Sequence, residues 1–144
     1  MTRRGAIPRR ALAIGAGLAV AVLVILAIEA ADEWLYPIAT GIDADDPGAL
    51  ATMVFAMPFP AQALMVFGWF AGAFAGAWIA LRVCDWRWAG WIIVMLTIAG
   101  GVFNLFQFAH PWWMQAATIL APLVAGWLAA RWHRRPYPGE PLLG

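Results

Sequence analysis

Residues 9–33 read RRALAIGAGLAVAVLVILAIEAADE. From Ala11 to Ala31 this is a run of 21 residues with one charge, Glu29, near its end. At a rise of 1.5 Å per residue such a helix is about 31 Å long, close to the roughly 30 Å hydrocarbon core of a bilayer. Its flanks differ in sign: Arg3, Arg4, Arg9 and Arg10 lie before it, and Glu29, Asp32 and Glu33 lie at its end. A secretory signal core would be shorter, about 7–15 residues, and Ile28-Glu29-Ala30-Ala31 makes a poor cleavage site. The run is therefore expected to be kept as a membrane helix.

Three more apolar runs follow, at about Pro60–Leu81, Trp88–Phe108 and Trp112–Ala130. Arg82 and Arg87 separate the second from the third, and Arg131, Arg134 and Arg135 follow the fourth. If all four runs cross a bilayer, every arginine falls on one side. Six of the eight acids (Glu29, Asp32, Glu33, Asp43, Asp45, Asp46) fall on the other. Short cationic segments resist translocation, so this pattern predicts both termini in the cytoplasm and a multi-pass protein of the bacterial inner membrane. Tryptophans near the run ends (Trp34, Trp86, Trp88, Trp112, Trp113, Trp132) suit the headgroup interface.

The composition agrees. The 144 residues are 64% hydrophobic and 12% charged, about half the charged share of a soluble domain. The predicted fold is all-α: a basic cytoplasmic stretch over 1–10, one four-helix transmembrane domain over 11–135, and a disordered tail over 136–144. Within the domain, 32–59 is expected to form a periplasmic lid. There Asp46-Pro47 supplies a helix cap and a first-turn proline, Leu50, Met53, Val54 and Met57 follow at helical spacing, and Pro58 stops the pattern. The spacing predicts a short helix over 47–57, covered on both sides.

Gly68, Gly72 and Gly76 form two overlapping G-x-x-x-G motifs in the second run. Drifting about 40° per step, they make one groove for close helix approach. Its partner is a span of this chain or of a second copy. Phe67, Phe70, Phe74 and Trp78 fall on the opposite side, which the pattern assigns to lipid.

Polar residues in the spans gather near the acidic end. Glu29 and Glu33 close the first run, Asn104 and Gln107 sit late in the third, and His110 follows. Such residues are costly in lipid and therefore informative. Two roles fit them: a small site open to the periplasm in which Glu29 and His110 exchange a proton, or interhelical hydrogen bonding. In His110-Pro111-Trp112-Trp113, Pro111 suits a helix start, with His110 at or just before the cap.

Several chemistries find no support. There is no metal-binding spacing and no cofactor motif. Asp43, Asp45 and Asp46 lack the glycine and closing glutamate of a calcium loop. Cys84 is the one cysteine, so it forms no disulfide within the chain. The segregated arginines are explained by membrane orientation and do not call for nucleic acid.

Glu29, Tyr36-Pro37, Gly41-Ile42-Asp43, Asp46, Pro58, Gly72-Ala73-Phe74-Ala75-Gly76, Asn104 and His110-Pro111 with Trp113 together resemble a widespread family of small, uncharacterised bacterial four-span integral membrane proteins. That resemblance runs from Glu29 onward. It implies the four-helix topology and brings no activity with it. The expected role is a non-enzymatic accessory or interaction subunit, embedded in lipid alone, as a homo-oligomer or within a larger membrane complex. The alternative is a small oligomeric transporter using the Glu/His/Asn cluster.

Overall fold

The computed structural model describes residues 3–37, 46–107 and 109–133. They form five helices: α1 Arg3–Leu35, α2 Pro47–Ala56, α3 Phe59–Val83, α4 Trp88–Gln107 and α5 Trp112–Trp132. Four segments are long and apolar enough to cross a membrane, namely Arg9–Leu35 of α1 and all of α3, α4 and α5. No strand occurs among the described residues. The fold is all-α, with four long helices and a short one between the first two.

The first helix outruns its apolar stretch at both ends. It is already helical at Arg3, so 3–10 continue into the span as one helix. It also continues through Asp32 and Glu33 to Leu35, so the connecting segment starts later than residue 32. Arg, Ala, Glu and Leu all favour helix, and the turn at Tyr36-Pro37 ends it because a proline disfavours helix in the residue before it. Gly41, Asp43, Asp45, Phe108 and the 136–144 tail lie outside the described residues.

Helix α3 is the hub, packing against α1, α4 and α5. Helix α4 also touches α1 and α5, which leaves α1 and α5 at the far corners of a rhombus. Gly68, Gly72 and Gly76 are buried on α3, and α1 of the same chain fills their groove. A Cβ at Gly72 would lie 2.8 Å from the Ala21 carbonyl oxygen, and one at Gly76 would lie 2.7 Å from Ala21 Cβ. Gly17 answers from α1, where a Cβ would lie 2.7 Å from the Gly76 carbonyl. Lipid gives no hydrophobic drive for helices to associate, so backbone approach of this kind supplies the attraction through dispersion.

The aromatic stripe on α3 departs from the expected lipid face. Phe67 is exposed, but Phe74 stands edge-on to Trp132 with centroids 5.4 Å apart, and Trp78 meets the His133 ring at 6.1 Å. A helix bordered on three sides has little surface left for lipid, and edge-to-face aromatic pairs are favourable in their own right.

At the arginine end, cations meet indoles. Arg10 lies over Trp86 at 4.6 Å, Arg82 over Trp78 at 5.0 Å, and Arg131 over Trp127 at 5.6 Å. Arg9 Nε donates to the Val83 carbonyl at 2.9 Å, satisfying an end group of α3 that its own helix cannot. Cys84 is buried beside it. Loss of water around the thiol pushes its pKa above the ordinary value of 9.0, outweighing the Trp86 backbone and the nearby Arg9 and Arg10, which pull it down.

Helix α2 is capped as its sequence suggests: Asp46 Oδ1 accepts from the Gly48 N–H at 2.9 Å. It is not covered on both sides. Phe55 is 58% exposed, whereas Val54 is buried. The helix is fastened by buried Gln62, whose Nε2 donates to the Val54 carbonyl at 2.9 Å and the Met57 carbonyl at 3.3 Å.

Candidate functional site

The same small residues that close the bundle at one end let it open at the other. Ile93 of α4 wedges against the α1–α3 contact: it lies 3.1 Å from a Cβ at Gly17 and 3.0 Å from one at Gly76. Further along, α1 and α4 no longer touch closely, and nothing stands within 4 Å of a Cβ at Gly100. The space between them is a half-open cavity of about 340 Å³, at the lower end of the usual range of about 300–1,000 Å³ for ligand sites.

Helix α1 forms one wall with Leu18, Ala21, Val22, Ile25 and Glu29; α4 forms the other with Leu96, Thr97, Gly100, Gly101 and Asn104. Trp69 of α3 and Thr118 and Pro122 of α5 line the rest. From Leu18 to Glu29 the groove follows about 16 Å of helix rise, roughly half the hydrocarbon thickness. It is blind, because below Leu18 lies the Gly17–Gly76–Ile93 contact.

Its chemistry is graded. Thr97 Oγ1 donates to the Ile93 carbonyl at 3.0 Å, and Thr118 Oγ1 to the Met114 carbonyl at 2.9 Å. Both hydroxyls are thus occupied by their own helices. Thr118 turns its methyl toward Gly101, where an added Cβ would lie 2.5 Å from Cγ2. The side chains deep in the groove are therefore apolar toward a ligand. Glu29 and Asn104 stand at the wide end.

Among the described residues, no arginine lies near the Glu29 carboxyl. The described arginine side chains (Arg9, Arg10, Arg82, Arg87, Arg131) lie at the other end of the bundle. Asp32, one turn beyond Glu29, adds to the negative charge. Its side chain is 4% exposed, and Oδ1 has no hydrogen-bond partner among the described residues.

Of the polar residues singled out in the sequence, the groove brings together Glu29 and Asn104. Glu33 and Gln107 are exposed and do not line it. His110 is buried but lies outside it, with its ring 6.4 Å from that of Trp69. Trp69 itself lines the groove, so the imidazole sits behind that wall. The His110 carbonyl accepts from Gln115 Nε2 at 2.8 Å. Pro111 itself takes the cap position, and α5 starts at Trp112.

Sequence reasoning passed over Asp32, Trp69, Thr97 and Thr118. Asp32 read as part of an acidic flank, and its burial appears only in the folded chain. The threonines read as ordinary span residues. Among the described residues, no three of His, Cys, Asp and Glu come together in a way that could hold a metal ion. No protein-family model, curated protein or solved structure matches the chain.

Proposed function

We propose that this chain is a non-enzymatic protein of the bacterial inner membrane, with both termini in the cytoplasm, and that it acts as an accessory subunit through the groove between α1 and α4. One observation carries the reading: the chain places the Glu29 carboxyl and the Asn104 carboxamide on the rim of a half-open, largely apolar cleft, with no arginine among the described residues beside them. A cleft of that kind holds a ligand. The Gly17–Gly76–Ile93 contact below the cleft, and the lack of an ionisable lining residue below Glu29 among the described residues, support binding over conduction. The segregated arginines support the orientation.

Two measurements test it. A reporter active only outside the cytoplasm should be active when fused after Asp45 and silent when fused after Arg135. Activity of the second fusion would overturn the orientation. Vesicles containing the protein should leak protons and monovalent cations no faster than empty ones. A leak abolished by Glu29→Gln would replace the binding role with that of a small transporter.

A further inference from the structure

The groove has the shape and polarity of half a lipid. Its walls are apolar for some 16 Å of helix rise, its two threonine hydroxyls are satisfied internally, and it opens sideways between α1 and α4. Its only charged lining group is Glu29, at the wide end. The wide end lies about 28 Å of helix rise from Arg10, close to the full hydrocarbon thickness, which puts it near the depth of the opposite headgroups.

Charge decides what head fits there. Glu29 and Asp32 sit one turn apart on α1, and no cation among the described residues meets either. An anionic headgroup would face like charge from both. A protonated primary amine offers three donors and a positive charge, and a charge-assisted hydrogen bond to a carboxylate is among the stronger polar contacts. Asn104, on the facing helix, adds an amide oxygen for the ammonium and an amide N–H for an ester or phosphate oxygen of the same molecule.

We infer that the α1–α4 groove holds one acyl chain of a membrane phospholipid with a protonated primary-amine head, the chain lying along Leu18, Val22, Ile25 and Leu96 and the ammonium on Glu29 and Asn104. The inference rests on the groove being the binding surface. A second protein helix fits less well, because the cleft ends half-way down the bundle and a spanning helix would have to leave it there.

Gly100 provides a clean test. It lines the groove, and nothing stands within 4 Å of an added Cβ, so a side chain can start there and Gly100→Leu is expected to extend into the cleft. The full-length protein, purified in mild detergent, is offered phosphatidylethanolamine or phosphatidylglycerol with identical acyl chains, and bound lipid is counted by native mass spectrometry. One phosphatidylethanolamine per chain should be retained, about tenfold in preference to phosphatidylglycerol, the scale set by one charge-assisted hydrogen bond. Glu29→Gln should erase most of that preference while leaving the acyl chain bound. Gly100→Leu should lose both lipids at an unchanged melting temperature.

Equal retention of the two lipids by the wild type, or retention of phosphatidylethanolamine by Gly100→Leu, overturns the inference. Co-purification of a stoichiometric protein released by Gly100→Leu would overturn it in favour of a docking helix. In each of these cases the non-conducting reading still stands or falls separately, on the vesicle leak.

Discussion

Two glycines on different helices illustrate how much one position depends on its neighbours. Gly72 and Gly100 are both span glycines flanked by apolar residues. A Cβ at Gly72 would meet Ile25 Cγ1 at 2.5 Å and the Ala21 carbonyl at 2.8 Å, whereas Gly100 has open space. Gly72→Leu should therefore cost about 3 kcal/mol, the upper part of the range for overpacking, because the obstacle includes backbone. Gly100→Leu should be close to neutral. Thermal melts of the two variants in one detergent check this, and equal losses would place the wrong helix against α3. Cys84 makes a second case. Burial raises its thiol above 9.0, so the folded chain holds this proton more tightly than the unfolded one. Its contribution is complete below the ordinary thiol value and is lost as pH rises through the raised one. The wild type should lose melting temperature more steeply than Cys84→Ala as pH rises above about 9, where the ordinary thiol value and the upward direction of the shift place the loss. Parallel pH profiles would show that the thiol does not titrate there.

At the level of helices, the five elements are held to different degrees. The long four interlock, while α2 hangs on Gln62 and the burial of Val54. Gln62→Ala removes both of its side-chain hydrogen bonds to the 54–57 backbone, at about 0.5–1.5 kcal/mol each. It should speed amide exchange over 47–57 and leave exchange in α3 and α5 unchanged. Uniform acceleration across the chain would mean that α2 is an integral part of the bundle. The periodicity and cap of α2 were legible because they are local. Its thin attachment was not, since exposure of Phe55 depends on where the other helices stand.

For the molecule as a whole, helix pairing is the quantity to test. The glycine groove by itself is equally suited to a neighbouring copy. In the structure it is filled by α1, with a Cβ at Gly17 only 2.9 Å from Ala80 Cβ. Paired cysteines need Cβ atoms about 3.5–4.5 Å apart, a distance a small outward shift of α1 supplies. A Gly17→Cys, Ala80→Cys chain made in a Cys84→Ser background should thus oxidise to a monomer with an internal disulfide. A disulfide-linked dimer would assign the groove to a second copy.

Length, polarity and the sign of the flanks follow from composition along one dimension, which is why 9–33 already declared a membrane helix and the four runs declared an all-α bundle. Helix caps and turns were readable for the same reason: Asp46-Pro47 and Tyr36-Pro37 act within a few residues. The site required three dimensions. Glu29 and Asn104 are 75 positions apart and line one groove only because α1 and α4 close on Ile93 at one end and leave the cavity between them at the other. Asp32 and Glu33 are neighbours in sequence, yet one is buried and the other exposed. Helical rotation separates them by about 100°, and tertiary packing around α1 decides which of the two loses its water.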